Sequence, residues 1–174
     1  SLLFDGSDDR VTAAIPPTPD LSSSGFTMMA WIKPTLATAG IVVGRSLTYL
    51  QVDTNGSLYH NIRLSNASDY VVNPANVVLK AGEWAHVAVV YGADNISRFY
   101  VNGKEVYASG VNPNPSLVTA GGAFVTAGSY YNGGIIGNPF PGYIDDAVVI
   151  NEGLATAQIE QHFAETKSDY LAIK

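Results

Sequence analysis

Hydrophobic and polar positions alternate in short runs along most of this chain, and each run ends at a residue suited to a turn. Phe26-Thr27-Met28-Met29-Ala30-Trp31-Ile32-Lys33 reads as a strand that stops at Pro34, which cannot donate to a ladder. Ile41 to Gly44, Leu47 to Val52 and Leu58 to Leu64 follow as further strands. Asp53-Thr54-Asn55-Gly56 forms the turn between the last two, and it lacks the later Glu of a calcium-binding EF-hand loop. The sharpest local pattern is Arg98-Phe99-Tyr100-Val101-Asn102-Gly103-Lys104-Glu105-Val106-Tyr107. Asn-Gly accepts positive φ at both central positions of a type I′ turn, so Val101 should pair with Lys104, Tyr100 with Glu105 and Phe99 with Val106. That register puts Phe99, Val101 and Val106 on a core face and leaves Arg98, Tyr100, Glu105 and Tyr107 on a wetter one.

A helical period appears once, near the C-terminus. Thr156 is placed to cap Ala157 to Phe163, with Ile159 and Phe163 on one face and Glu160 near the positive end of the dipole. Pro16 to Ser24 reads as a loop, and Pro74 to Leu79 as a segment with room for one helical turn. Neither an internal repeat nor a composition break divides the chain, so residues 1–174 are expected to form one domain. The start in Leu2-Leu3-Phe4 without a leading Met, and the polar end from Lys167 to Lys174, suggest a domain excised from a larger protein. Trp31 and Trp84, each in an apolar run, are expected in the core.

Composition narrows the function. No run of about 18 apolar residues reads as a membrane span, so membrane insertion is not expected. Fifteen acidic against nine basic residues give a formal charge of −6, which disfavours nucleic acid because phosphates are repelled. The absence of cysteine excludes disulfides and thiolate metal sites. Three Asn-x-Ser sequences, at Asn55, Asn66 and Asn95, are read as chance in an Asn-rich chain.

Four segments carry a family likeness. They are Phe4-Asp5-Gly6-Ser7-Asp8-Asp9, Gly82-Glu83-Trp84-Ala85-His86-Val87-Ala88-Val89-Val90-Tyr91, Phe99-Tyr100-Val101-Asn102-Gly103-Lys104 and Gly142-Tyr143-Ile144-Asp145-Asp146. Together they resemble the concanavalin A-like, laminin-G-type jelly-roll family. The resemblance implies an all-β, two-sheet antiparallel jelly-roll sandwich with a short C-terminal helix, and a structural place for His86. It also implies a role in recognition or adhesion, and a calcium site where the first strand meets the last. The ligands implied there are Asp5, the Gly6 backbone, and Asp145 or Asp146, all hard oxygen donors. Alternation along a strand puts Asp145 with Ala147 and Val149, and Asp146 with Ile144, Val148 and Ile150. Whichever carboxylate faces apolar packing needs a cation or several N–H donors; otherwise both simply bind turn amides or a nearby Lys or Arg.

Catalysis finds no support in the sequence. Retaining glucanases of this fold carry closely spaced acids on one strand, whereas Glu83, Glu105, Glu152, Glu160 and Glu165 make no such pattern. Neighbouring Asp145 and Asp146 point apart. Binding has better candidates. Tyr130, Tyr131 and Asn132 sit in a glycine-rich stretch where a ring could stack on a sugar and an amide could take its hydroxyls. Tyr59, His60 and Asn61, with Asn66 and Tyr70, form a second polar-aromatic group. The expected function is a non-catalytic, calcium-assisted recognition module for a glycan or surface polysaccharide, outside a cell or on a cell or virion surface. The alternative is a structural jelly-roll domain of a virion fibre, capsid decoration or large surface protein, with protein partners and no sugar ligand.

Overall fold

The computed structural model describes residues 1–14, 21, 25–64, 66–115, 124–132 and 135–171; of residues 131, 132, 135 and 136 it describes the backbone alone. In chain order the strands are β1 (Leu2–Asp5), β2 (Val11–Ala14), β3 (Phe26–Pro34), β4 (Gly40–Arg45), β5 (Thr48–Val52), β6 (Leu58–Arg63) and β7 (Asp69–Val72). They continue with β8 (Ala85–Tyr91), β9 (Ser97–Val101), β10 (Lys104–Ala108), β11 (Phe124–Ala127), β12 (Tyr130–Asn132), β13 (Ile135–Gly137) and β14 (Pro141–Ile150), and the chain closes with the helix α1 (Thr156–Tyr170). One six-stranded sheet runs β1-β14-β3-β8-β9-β10, and the second runs β2-β11-β4-β5-β6-β7. All pairings are antiparallel, which makes the two-sheet sandwich that the pattern and the resemblance lead one to expect. A small β12-β13 hairpin stands apart from both sheets.

The first sheet is covered on both faces. Along β3, Met28, Ala30 and Ile32 join the core between the sheets, while Met29 joins a separate cluster with Ala88, Val90, Tyr100 and Ile159 of α1. Period-two alternation thus sends every second residue of β3 and β8 towards the helix, which explains why both strands are almost wholly apolar. Trp31 is fully buried in that helix layer. Its ring lies 4.4 Å from Tyr170 and 5.7 Å from Phe163, and its indole N–H donates to Thr166 Oγ1 at 2.8 Å.

The helix accordingly departs from its expected form. It runs on to Tyr170 because Phe163, Thr166 and Tyr170 continue one stripe over Trp31, at spacings of three and four. Thr156 does not cap it. Ala155 occupies the cap position with its N–H donating to Gln158 Oε1, and the Thr156 hydroxyl lies 3.1 Å from the Tyr100 hydroxyl.

The Asn102-Gly103 turn has φ of 51° and 77°, as type I′ requires, and Lys104 pairs with Val101 and Glu105 with Tyr100. Beyond that a bulge intervenes, so Tyr107 rather than Val106 faces Phe99. The larger ring gains a T-shaped contact with Phe99 and joins the core, while Val106 is left exposed. The other face is mixed, with Tyr100 buried under α1 while Glu105 stays exposed.

Trp84 is only half-buried. It precedes β8 and leans on Tyr143 and Tyr170. Pro74 to Leu79 forms a turn closed by the Val77 N–H on the Pro74 carbonyl, with no helical turn, and of Pro16 to Ser24 only Leu21 lies within the described residues. The Asn-x-Ser recurrence has a local cause at two of its three sites. Asn55 Oδ1 accepts from the Ser57 N–H, and Asn66 Oδ1 from the Ser68 N–H, each closing an Asx turn.

Two predictions follow from this packing. Trp31→Ala should cost about 3–5 kcal/mol in denaturant unfolding, while Trp84→Ala should cost about 1 kcal/mol; equal losses would contradict the separation of roles. The second concerns acid. Burial pushes the His60 imidazole down to about 3, and burial reinforced by His162 pushes His86 down to about 4. Both are neutral in the folded chain while the unfolded chain binds their protons below about pH 6.5. Stability is therefore full above that pH and falls as pH drops towards 4, by about 2 kcal/mol per histidine at pH 5. His60→Leu should flatten part of that slope, and an unchanged pH dependence would contradict its buried neutral state.

Candidate tyrosine face of the second sheet

Alternation on β5 and β6 divides their side chains cleanly. Leu50, Val52, Leu58 and Ile62 enter the core, and His60 is buried with them, edge-on to Phe26 and Phe99. Tyr49, Gln51, Tyr59, Asn61 and Arg63 point the other way. The register sets Tyr49 opposite Asn61 and Gln51 opposite Tyr59, so the two tyrosines are diagonal neighbours. Their rings lie 6.3 Å apart at 17°. Tyr130, from β12, extends the row with its ring 6.2 Å from Tyr49 at 13°. Gly137 across the hairpin makes this possible, because a Cβ there would fall 2.4 Å from the Tyr130 ring.

Polar groups hold both flanks. The Asn138 amide donates to Gln51 Oε1 at 2.9 Å, and Gln51 Nε2 donates to Asp53 Oδ1 at 2.8 Å. Asn73 Nδ2 donates to the other Asp53 oxygen at 2.9 Å. On the opposite flank Arg63 Nε stands 2.9 Å from Asp69 Oδ1, and Asn61 Nδ2 donates to the Leu47 carbonyl and to Asp69 Oδ1. Burial, with Tyr59, Asp69 and Tyr130 adding, pushes the Tyr49 hydroxyl up to about 12. Burial and the two aspartates raise Tyr59 as well. Tyr49 and Tyr59 are therefore neutral phenols near neutral pH. The arrangement offers apolar ring surface between fixed carbonyl and carboxylate acceptors, which suits a ligand with C–H faces and hydroxyl edges.

Of the residues singled out in the sequence, Tyr130 and the pair Tyr59 and Asn61 meet on this face. The backbone of Tyr131 and Asn132 pairs with Ile136 and Ile135, and their side chains lie outside the described residues. His60 belongs to the core, Asn66 to its turn, and the Tyr70 hydroxyl donates to the Gly110 carbonyl. Sequence reading passed over Tyr49, Gln51, Asp53, Asp69, Asn73 and Asn138. The alternating Tyr49-x-Gln51-x-Asp53 and Tyr59-x-Asn61-x-Arg63, on either side of one turn, was the available signal.

The carboxylates expected to share a cation are placed differently. Asp5 pairs with Pro141 and Leu2 with Ile144, so about 13 Å of strand separates Asp5 from Asp145. Asp145 Oδ2 lies 2.8 Å from the Ser1 amino nitrogen, whose hydrogen bond, with the Asp146 N–H, holds that carboxyl below its usual range. Simple alternation also fails there. A bulge follows Asp145, Asp146 adopts φ of 48°, and its carboxylate stands 3.3 Å from His162 Nε2. His162 Nδ1 in turn lies 3.2 Å from His86 Nε2, so this chain of groups ties α1 to the sheet. Asp5 instead groups with Asp8 and Asp9, their ligand atoms within 4.8 Å of one another, around Gly6 with φ of 81°. Asp5 Oδ1 accepts from the Ser7 N–H, and Asp9 Oδ2 from the Asp5 N–H. A set of carboxylate oxygens fits a hard divalent cation.

Comparison with curated proteins finds no match. Among solved structures, a native heptameric SAP-like pentraxin from Limulus polyphemus is similar, with a TM-score of 0.66 and 21% identity over 91% of this chain and 78% of that one. The binding domain of botulinum neurotoxin serotype G gives 0.74 and 11% over 95% of this chain. A botulinum neurotoxin type C structure, described in terms of cell entry dependent on two ganglioside molecules, gives 0.68 and 13% over 94%. The chain spans 42% of each of those two toxin chains, and at these identities the likeness is one of fold. A family model described as the concanavalin A-like lectin/glucanases superfamily matches residues 5–160, the two antiparallel sheets agree with it, and the chain belongs to that superfamily.

Proposed function

We propose that this domain is a non-catalytic recognition module that binds carbohydrate on the outer face of the second sheet. The observation that carries the reading is the row of near-parallel rings Tyr59, Tyr49 and Tyr130, contributed by β6, β5 and β12 and flanked by amide-held carboxylates. Sugar rings present C–H faces that pack on aromatic surface, and their hydroxyls donate to oriented acceptors such as Asp53. The lectin-like superfamily supports recognition as the role. A glycan or surface polysaccharide is the proposed partner, met at an extracellular, cell-surface or virion-surface location.

Calcium assistance belongs to the same proposal. The cation would be held by Asp5, Asp8 and Asp9, whose carboxylates are grouped, rather than by Asp145, which lies four residues along β14 from the residue paired with Asp5, or by Asp146, which faces the His162 imidazole. When bound, calcium would supply positive charge that fixes the loop between β1 and β2.

Two measurements test this. Tyr49→Ala, Tyr59→Ala and Tyr130→Ala should each weaken binding on a glycan array by roughly 1 kcal/mol, about fivefold in Kd, with the fold retained by circular dichroism. Full affinity in all three would favour the structural-module alternative. For calcium, the melting transition should rise, by about 2.7 kcal/mol at a hundredfold excess over Kd. That gain should vanish in an Asp8→Asn/Asp9→Asn variant and persist in Asp146→Asn. Identical melts with calcium and with chelator, and no metal by elemental analysis, would remove calcium from the account.

A further inference from the structure

The tyrosine face has a sign of charge as well as a shape, and that sign constrains the sugars it can hold. Asp53 has both oxygens occupied by neutral amide donors, Gln51 and Asn73, and no cation stands against it among the described residues. Asp69 is on the opposite flank, and the two carboxylates both act on the Tyr59 hydroxyl. Arg63 is the only Lys or Arg carried by β5, β6 or β7, and it is already engaged, with Nε at Asp69 and a terminal nitrogen donating to the Ala67 carbonyl at 2.6 Å. Arg45 of β4 is buried and follows Gly44, the residue paired with Tyr49, so alternation turns it to the other side of the sheet.

The hairpin that carries Tyr130 adds no charge either. From Ser109 to Ile144 the sequence contains no Asp, Glu, Lys, Arg or His. This matters for the side chains of the hairpin beyond Tyr130, because none of them is of a type that could supply a cation. A sialylated, uronic or sulfated sugar laid across the three rings would bring its anion near Asp53 or Asp69 with no uncommitted Lys or Arg from these strands to pair with it. Unpaired like charges at a partly desolvated surface are costly, and the whole molecule, at −6, adds to the repulsion. A neutral sugar meets the opposite situation. Its hydroxyls are donors, and the fixed carboxylates and the Gln51 and Asn138 groups are acceptors and donors already oriented by one another.

Resting on the reading of this face as the sugar-binding surface, we propose that Asp53 and Asp69 are its specificity-determining residues, which select uncharged hydroxyl-rich saccharides and reject acidic ones. The two aspartates do so from opposite flanks, so a chain lying along the row Tyr59, Tyr49 and Tyr130 passes between them. Asp53 orients hydroxyls at the end near Asn138. Asp69 keeps Arg63 occupied at the other end, and so withholds from an anion the one guanidinium that β5, β6 and β7 carry.

The test uses the full chain on immobilised glycan pairs that differ only in an acidic group, such as lactose against 3′-sialyllactose, and neutral against sulfated or uronic oligosaccharides. Within each pair that binds, the neutral member should be favoured by at least about tenfold at low ionic strength, and the gap should narrow as salt screens the carboxylates. Asp53→Asn and Asp69→Asn should each narrow it at constant salt, and Asp69→Asn should raise binding of the acidic member by freeing Arg63. The salt series on the unaltered chain needs no variant, so misfolding of either variant would not shield the proposal. Equal or tighter binding of acidic members, lost on Tyr49→Ala, would overturn this specificity while leaving the tyrosine face as the site. Glycan binding indifferent to Tyr49, Tyr59 and Tyr130 would overturn both.

Discussion

The first sheet is apolar on both faces, and most of the architecture follows from having to cover it twice. β3 and β8 supply inner residues such as Met28, Val87 and Val89 and outer residues such as Met29, Trp31 and Val90. At roughly 25 cal/mol per Å² of apolar surface removed from water, leaving the outer set exposed would forfeit several kcal/mol. The second sheet covers one side and α1 the other. Trp31 is the centre of that second contact, stacked on Tyr170 and hydrogen-bonded to Thr166.

That division of labour decides where recognition can occur. With the outer face of the first sheet taken by the helix, the outer face of the second sheet is the broad sheet surface where Tyr49, Tyr59 and Tyr130 stay half-buried and their flanking groups bind one another in a plane. The rings are oriented by strand register and by the space at Gly137, and so are fixed before any ligand arrives. Such preorganisation lowers the ordering cost of binding. The similar solved structures, at 11–21% identity, share the fold and leave the chemistry of this face to this chain's own residues.

How much of this was legible in the sequence varies with the range of the interaction. The Asn102-Gly103 hairpin and the strands around Trp31 were readable because turn chemistry and period-two alternation are local. The bulge that exchanges Val106 for Tyr107 was not, since it is driven by a ring contact with Phe99 across the strand pair. Thr166 and Tyr170 gave no apolar periodicity, so the end of the helix was invisible until Trp31 was known to lie beneath it. For the site, Tyr130 was singled out from its glycine-rich setting, but its companion Tyr49 is some eighty residues earlier and meets it only through the fold. Asp5 and Asp145 or Asp146 were expected to share a cation because the resemblance brings the first strand beside the last, but the register sets Asp5 against Pro141, and the bulge between Asp145 and Val148 turns Asp146 to His162.

The most direct test of the central claim is to follow the tyrosine ring resonances by NMR while a neutral oligosaccharide selected from an array is titrated in. Tyr49, Tyr59 and Tyr130 should shift together, saturating with one Kd, while Tyr100 beneath α1 and Tyr170 within it stay unmoved. Shifts confined to the helix side, or spread over the edges of the sheets with those three rings unchanged, would contradict it.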